Sequence, residues 1–405
     1  MVVNGKLNVM GGIHKMKKKI FGLFMAAAAS LFCLAGCTTA TDGGSTGSGT
    51  TSNTTTTTTT NAGDDGSLQV GIVLPTKDEP RWLQDQAQFE KILGDAGFTN
   101  QVLFSQGSSA TEKTNVETLL SKGVDVLIIC PQDGAAAAAA VEAAKAEGVT
   151  VIAYDRLITG TEAVDYYVTF DSFAVGEAQG QYLIDNAPAG TDIPLYLYAG
   201  AATDNNAFIF FEGAWSVLQP KIADGTFKIA NSSEAEALKG KASLTREEMA
   251  AIIGQVSTDW DFNTAKSKAE ANLTIAGADM KGDVLVLAPN DGTARSIADV
   301  FASDKDITSY VVTGQDSEKA SVQYIIDGIQ SMTVFKDTRT LAQDSVEMAI
   351  TILKGETPAT DSSYNNEVKD VPAKQTNIVV VTKDNVTQAL IDSGYYDAAD
   401  FTGLN

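Results

Sequence analysis

Residues 124–158 decide the fold and read VDVLIICPQDGAAAAAAVEAAKAEGVTVIAYDRLI. Two apolar runs, VDVLIIC and TVIAY, flank an alanine-rich stretch that predicts a helix over 134–147 and a stop at Gly148. Neither apolar run alternates with polar residues, so both faces of each strand are expected to be buried. This pattern is typical of parallel strands joined by a crossover helix.

The same alternation of strand and helix continues on both sides of this unit. Predicted strands cover 68–74, 101–105, 124–130, 150–154, 166–170, 193–198, 227–230, 283–289, 308–314, 332–336 and 377–382. Predicted helices cover 81–96, 111–120, 134–147, 175–186, 206–218, 244–253, 263–275, 294–302, 319–327, 341–353 and 386–393. A body of this length exceeds a usual single domain. The sequence therefore predicts an α/β protein with two doubly wound parallel-sheet halves.

Residues 1–36 have the features of a secretory signal. Five lysines and no acid accompany an apolar run from Ile20 to Leu34, which is short for a membrane span. The LAGC ending at Cys37 resembles a bacterial lipobox, which implies cleavage before Cys37 and lipidation of its thiol. An uncleaved anchor or a plain signal peptide is the alternative. Residues 37–66 are rich in Thr, Ser and Gly and predict a disordered tether.

Charge and residue usage exclude several classes of function. The formal net charge is −22, which disfavours nucleic acid and anionic lipid surfaces as partners. The one histidine, His14, lies in the predicted signal. A mature chain without histidine excludes Ser–His and Cys–His nucleophile pairs and His-ligated metals. We expect no metal, no cofactor and no enzyme activity, and Cys130 alone permits no intrachain disulfide.

Polar side chains follow almost every predicted strand. In open parallel sheets, ligands bind beyond the carboxyl ends of the strands. The residues at these ends are Arg81 with Trp82, Asp155 and Arg156, Asp171, Asp204 to Asn206, Asn290 and Asp291, Gln315 and Asp316, and Lys336. Carboxylates, amides and cations together offer the acceptors and donors that a sugar hydroxyl needs. Trp82 and Trp260 add aromatic faces for a pyranose ring, whereas Trp215 is predicted to be core.

Nine stretches carry a resemblance to a known family. They are PRW (80–82), KGVDVLIICPQDG (122–134), VIAYDRLI (151–158), DYYVTFDSFAVGEAQ (165–179), TDNNAF (203–208), TDWDF (258–262), APNDGTA (288–294), VVTGQDSEKASVQYIIDG (311–328) and TVFKDTRTLA (333–342). With them, residues 68–400 resemble the type I periplasmic sugar-binding proteins that serve ABC importers. The xylose and multiple-monosaccharide branch is the most similar, and TDWDF and FKDTRTLA favour its multiple-monosaccharide members.

The resemblance implies a fold, a boundary and a set of contacts. It implies three hinge crossings near Asp171, Lys336 and Lys374, with an N-terminal lobe of 67–171 plus 337–373 and a C-terminal lobe of 172–336 plus 374–405. Implied sugar contacts are Arg81, Asp155, Arg156, Asp204, Asn206, Asn290, Asp316 and Lys336, with Trp82 and Trp260 stacking on the ring. Asp171 is a further candidate. Ser172 is left out, because relatives often carry Asn there.

The implied function is capture of a monosaccharide by lobe closure. The ligand would be an aldopyranose of the xylose, glucose, galactose or arabinose type, delivered by a monomeric, lipid-anchored protein to an ABC importer permease at the extracytoplasmic face of the cell membrane. A sugar or autoinducer receptor feeding a chemotaxis or sensor-kinase pathway is one alternative. A glycosidase using two carboxylates is another. For Asp155 and Arg156, a structural ion pair at the hinge is the rival interpretation of a sugar clamp.

Overall fold

The unit of residues 124–158 forms two parallel strands with a helix between them, as predicted. The computed structural model describes residues 68–404, so Cys37, the signal and the tether lie outside it. The strands are β1 (Val70–Leu74), β2 (Asn100–Phe104), β3 (Val126–Ile129), β4 (Thr150–Tyr154), β5 (Tyr166–Phe170), β6 (Ile193–Leu197), β7 (Phe227–Ile229), β8 (Gly282–Leu287), β9 (Ile307–Val312), β10 (Thr333–Lys336), β11 (Ser362–Asn365), β12 (Asp370–Thr376) and β13 (Ile378–Val381).

Helices connect most of these strands. They are α1 (Pro80–Asp95), α2 (Ser109–Leu120), α3 (Ala138–Ala146), α4 (Ser172–Asp185), α5 (Asn205–Ala223), α6 (Ser233–Ala237), α7 (Arg246–Val256), α8 (Phe262–Ile275), α9 (Asp291–Ser303), α10 (Lys319–Asp327) and α11 (Thr338–Leu353). Short 3-10 turns cover Ala278–Met280 and Ala398–Asp400, and a π-helical turn covers Thr387–Ile391. The last predicted helix is thus only a π turn.

The N-terminal lobe, called the first lobe below, contains a seven-stranded sheet of order β11-β12-β5-β4-β3-β1-β2. The C-terminal lobe is called the second lobe. All pairs are parallel except β11 with β12. The apolar side chains of α2 and α3 cover one face, and those of α1 and α11 cover the other. Because both faces are covered, the central strands carry almost no exposed side chain, which explains their continuous apolar sequences.

The second lobe contains a four-stranded parallel sheet of order β7-β6-β8-β9. Strands β10 and β13 were expected to complete a parallel pattern, but they form a separate antiparallel pair. Strand β10 also forms one isolated parallel bridge, between Val334 and Gln315, a residue of the segment that follows β9. The pair packs through Met332, Val334 and Phe335 against neighbouring helices, so its burial does not require sheet membership.

The chain crosses between the lobes three times. It leaves the first sheet after β5, returns after β10 so that α11 packs on the first sheet, and leaves again after β12. The third crossing was expected near Lys374, but Lys374 lies inside β12, whose pairing with β5 continues to Thr376. Strands β11 and β12 were missed because their sequences, SSYN and DVPAKQT, contain no apolar run.

Helices α4 and α5 approach each other at glycines. A Cβ atom on Gly176 would lie 1.8 Å from the carbonyl oxygen of Phe210, and one on Gly213 would lie 2.1 Å from that of Phe173. Only glycine permits backbones to come so close. The N-termini of both helices face the first lobe, so this contact fixes the position of two helix ends at the boundary between the lobes.

The C-terminal segment, residues 382–404, contacts both lobes. The hydroxyl of Tyr395 donates to Gln84 Oε1 at 2.9 Å, and Gln84 Nε2 donates to the hydroxyl of Tyr396 at 3.2 Å. Gln84 belongs to α1 of the first lobe. On the second lobe, the Tyr396 hydroxyl donates to the carbonyl of Ser317 at 3.0 Å. The tyrosine pair, Tyr395 and Tyr396, therefore connects the two lobes through hydrogen bonds.

Candidate functional site

Arg81 is brought to the lobe boundary by the start of α1. Pro80 occupies the first turn of this helix, where its fixed φ is compatible with helix and its missing N–H costs nothing. The Arg81 guanidinium is buried and contacts carboxylates of both lobes. Its Nη2 lies 2.7 Å from Asp155 Oδ2 in the first lobe, and its Nη1 lies 3.4 Å from Asp316 Oδ1 in the second. Arg81 therefore bridges the two lobes directly.

Asp155 follows β4 in an unusual backbone conformation. Its φ is +61°, which a non-glycine residue rarely adopts and which tends to occur at functional sites. The strain is held by hydrogen bonds: the Asp155 carbonyl accepts from Asn206 Nδ2 at 2.8 Å and from the Tyr167 hydroxyl at 2.7 Å. Burial alone would raise the pKa of Asp155, but the charges of Arg81 and Lys336 outweigh it and hold the pKa at about 2. The carboxylate is therefore ionised at any physiological pH.

Arg156 makes a second bridge between the lobes. Its Nε lies 3.0 Å from Asp204 Oδ2, and both side chains are buried. Asp204 caps α5, because its Oδ1 accepts from the backbone N–H of Asn206 at 2.9 Å. Burial raises the pKa of Asp204 while Arg156 lowers it, with a net rise. The pair predicted at the end of β4 thus diverges: Asp155 binds Arg81, and Arg156 binds Asp204.

Asp316, Lys336 and Asn290 come from three strand ends of the second lobe. Lys336 Nζ lies 2.7 Å from Asp316 Oδ1, the same oxygen that Arg81 approaches. Asp316 also has a positive φ, +94°. Asn290 caps α9 through its Oδ1, which accepts from the backbone N–H of Thr293 at 3.3 Å. Asn290 and Lys336 are buried, the Asp316 side chain is 10% exposed, and all three line one cavity.

The two tryptophans lie on different sides of that cavity. The buried Trp82 ring has the guanidinium carbons of Arg81 and Arg156 at 4.8 and 5.2 Å from its centre. The half-buried Trp260 ring lies against Gly200, where an added Cβ would be only 2.0 Å from a ring carbon. Among residues 68–404, the indole Nε1 of Trp260 has no hydrogen-bond partner, whereas Trp82 faces the Glu79 carboxylate. Trp260 therefore offers a free donor, and both rings offer an apolar face.

Ten of the eleven predicted contact residues line the inner cavity, and Asp171 does not. The inner cavity is lined by Glu79, Arg81, Trp82, Asp155, Arg156, Asp204, Asn206, Phe210, Trp260, Asn290, Gln315, Asp316 and Lys336. Asp171 instead caps α4, because its Oδ1 accepts from the Ala174 N–H at 3.0 Å. Ser172, which was left out, donates to Asn206 Oδ1 at 3.2 Å. It therefore contacts a cavity residue without lining the cavity itself.

Three cavity residues were not predicted as sugar contacts, although Gln315 was among the strand-end residues. Glu79 precedes α1, and burial raises its pKa to about 7. Gln315 is a strand-end residue whose Nε2 donates to the Pro289 carbonyl at 2.7 Å, while its Oε1 has no partner among the described residues. Its position after β9 was a usable signal. Phe210 lies in the middle of α5, so no strand-end pattern could have found it.

The inner cavity opens outward into a larger groove. The inner space is about 20 Å³, and its walls are the paired side chains themselves. The outer groove is about 610 Å³ and shares Glu79, Arg156, Trp260 and Asn290 with the inner cavity. Its rim carries the exposed Phe262, which is 43% accessible. The groove therefore reaches the inner cavity past Arg156 and Trp260.

The described residues hold neither a metal cluster nor a membrane span. Within 68–404, no three His, Cys, Asp or Glu side chains come together in a way that could hold a metal ion. In the same part of the chain, no helix has both the length and the apolar character that crossing a membrane requires.

The comparisons with known proteins all point to the same protein family. The model of the periplasmic binding protein domain matches residues 70–357. A carbohydrate transporter solute-binding protein from Chloroflexus aurantiacus, solved in complex with D-glucose, is 69% identical with a TM-score of 0.82, over 83% of this chain and 98% of that one.

Two curated relatives agree with this match. The multiple sugar-binding periplasmic protein SbpA of Azospirillum brasilense is 36% identical over 82% of this chain and 90% of its own length. The multiple sugar-binding periplasmic receptor ChvE of Rhizobium radiobacter is 35% identical over 83% and 92%. The resemblance and the fold class predicted from the sequence are confirmed, as is the expectation of a binding protein rather than an enzyme. The chain belongs to the periplasmic binding protein domain family.

Proposed function

We propose that this chain is an extracytoplasmic solute-binding lipoprotein that captures a monosaccharide between its lobes and delivers it to the permease of an ABC importer. One observation carries the proposal: charged pairs from both lobes, Arg81 with Asp155 and Asp316 and Arg156 with Asp204, surround a cavity flanked by two tryptophans. Ionised carboxylates accept strong hydrogen bonds from hydroxyls, and guanidinium groups donate them. The set suits a ligand with hydroxyls on its edge and an apolar C–H face.

The ligand class is an aldopyranose of the glucose, xylose, galactose or arabinose type. The D-glucose bound to the 69% identical Chloroflexus aurantiacus protein supports a hexopyranose. The names of the Azospirillum and Rhizobium relatives, both multiple sugar-binding, support a site that accepts more than one sugar. The second of these is called a receptor, which supports signalling as an alternative role.

Lobe closure follows from where the charged pairs lie. An inner space of about 20 Å³ admits little more than one water, so a sugar enters only when the pairs across the boundary separate. The sugar hydroxyls then take over as partners of groups on both lobes. Because the ligand contacts both lobes only in the closed form, binding shifts the population toward closure. The permease would recognise that form.

Attachment to the membrane completes the proposal. The LAGC sequence supports a lipid at Cys37. The Thr-rich tether would let the folded part of a monomeric protein reach the permease at the membrane surface. Mass spectrometry of the protein isolated from cells measures this directly: we expect a chain that begins at Cys37 and carries the mass of a lipid. A chain that begins elsewhere, or an unmodified Cys37, would contradict the anchor.

The binding proposal is tested by titration calorimetry of the chain. The panel is glucose, xylose, galactose, arabinose, fucose, ribose and one disaccharide, each titrated into the parent and the Asp155→Ala variant. Asp95→Ala, an exposed aspartate of the same fold, is the matched control. We expect one-to-one binding of at least one aldopyranose by the parent and the control, lost in Asp155→Ala. No binding to any sugar of the panel would refute the proposal.

A further inference from the structure

Asp85 is a fully buried carboxylate that the site has not yet accounted for. It lies one helical turn after Arg81 in α1, and its side chain is 0% exposed. Its Oδ2 lies 3.3 Å from Arg81 Nε. The Tyr154 hydroxyl faces this carboxylate, but in the described part of the chain neither carboxylate oxygen has a partner within strict hydrogen-bond distance and angle. An isolated buried charge is costly, so the contact with Arg81 is the reason such a residue can be there.

The three carboxylates around Arg81 have different relations to the inner cavity. Asp155 and Asp316 line it and approach the two outer nitrogens of the guanidinium. Asp85 does not line it and approaches the inner nitrogen, Nε, from behind. When a ligand engages Asp155 and Asp316, Asp85 is the partner that stays with Arg81, whereas separation of the lobes removes only Asp316, because Asp155 lies in the same lobe as Arg81. Both residues belong to one rigid helix, so their geometry survives opening.

We propose that Asp85 is the positioning residue of the site, which fixes the Arg81 guanidinium from behind so that its outer nitrogens face the ligand in the open form. The inference rests on the proposed function, because it assigns Arg81 a ligand to contact. A side chain held in one orientation before binding loses less conformational entropy when the ligand arrives. Asp85 thus acts on affinity without touching the ligand.

The groups around Asp85 determine how it responds to pH. They come from four elements and are Arg81, Tyr154, Asp155, Lys336 and Tyr395. Burial raises the pKa of Asp85 to about 7, although Arg81 opposes this, while the Tyr154 hydroxyl favours the charged form. As the pH falls through 7, Asp85 takes up a proton and its hold on Arg81 weakens. Affinity is therefore expected to fall on acidification.

The test measures D-glucose binding by calorimetry from about pH 5.5 to 8.5. Asp85→Asn keeps the shape and removes the charge, and Asp95→Asn is the matched control, because Asp95 also follows a base by four residues in α1 but is exposed. Glu79 titrates in the same range and lines the inner cavity, so the pH profiles are recorded both with and without Glu79→Gln. Tyr154→Phe is a second variant that removes only the hydroxyl facing Asp85.

We expect Asp85→Asn to bind D-glucose about tenfold more weakly at pH 8, with a profile that no longer falls on acidification. Tyr154→Phe should move the midpoint of the parental profile to higher pH, and it decides the matter if Asp85→Asn does not fold. Parental affinity and an unchanged profile in Asp85→Asn, or an unmoved midpoint in Tyr154→Phe, would overturn the inference while leaving sugar binding intact. A parent that binds no sugar of the calorimetry panel at any pH would overturn the proposed function as well.

Discussion

Gly176→Ala is expected to destabilise the second lobe strongly, because α4 and α5 touch through their backbones there. The added Cβ would lie 1.8 Å from the Phe210 carbonyl oxygen, 2.7 Å from its carbon and 2.9 Å from the Ala214 nitrogen. Ordinary contacts begin near 3.4 Å, so the helices would have to separate by more than 1 Å. None of the three atoms belongs to a flexible side chain. Overpacking of this kind costs about 3 kcal/mol, a loss of roughly 6–12 °C in Tm.

Differential scanning calorimetry of Gly176→Ala beside Gly254→Ala measures this effect with a chemically identical control. Gly254 is exposed on α7, and a Cβ there would meet nothing within 4 Å. Because alanine is the better helix former, Gly254→Ala should stabilise by about 0.5–1 kcal/mol. One methyl group is thus expected to act with opposite sign at two helical positions. A Gly176→Ala protein as stable as the parent would refute the packing argument.

Three further predictions concern the site. Asp155→Asn removes a carboxylate whose pKa is about 2 when folded against an ordinary 3.8, so about 2 kcal/mol of stability should be lost at pH 7. Because the folded pKa is the lower one, this parental advantage should halve near pH 3 and mostly vanish near pH 2 in urea unfolding; an equal advantage at pH 2 would argue against it. Gly200→Ala should displace the Trp260 ring, changing its fluorescence and weakening D-glucose binding about tenfold, and an unaltered emission spectrum would speak against the contact. Gln84→Ala removes both bonds to the tyrosine pair and should speed sugar release about threefold or more in stopped-flow traces, whereas parental release rates would show that these bonds do not hold the closed form.

The parallel sheets could be predicted from the sequence because burial on both faces leaves a visible pattern. Strands β1, β3 and β4 are apolar throughout, and the helices between them repeat at helical spacing. Strand β12 lacks that signal: it contains Pro372 and alternates exposed with buried residues at the side of the sheet. The antiparallel pairing of β10 with β13 depends on contacts between residues more than 40 positions apart. Local sequence carries no information on such a pairing.

The site could be predicted where chemistry and position coincide. Charged residues that follow predicted strands, such as Asp155 after β4 and Asp316 a few residues after β9, are found by the strand-end rule. The rule also selects Asp171, because a helix cap and a ligand contact require the same residue type at the same place. Asp85 and Phe210 escape it, since both lie within helices and not at strand ends. Only the folded structure shows which buried polar side chains lack a hydrogen-bond partner.

The C-terminal segment has a consequence for how such a protein can be tuned. Apparent affinity is the intrinsic affinity multiplied by the fraction of molecules in the competent conformation. The tyrosine pair contacts Gln84 on one lobe and Ser317 on the other without lining the inner cavity. Substitutions at Tyr395 and Tyr396 are therefore expected to change the sugar concentration at which the protein is half-saturated, while its selectivity among sugars stays constant. A tag fused to the C-terminus is expected to change the apparent affinity in the same way.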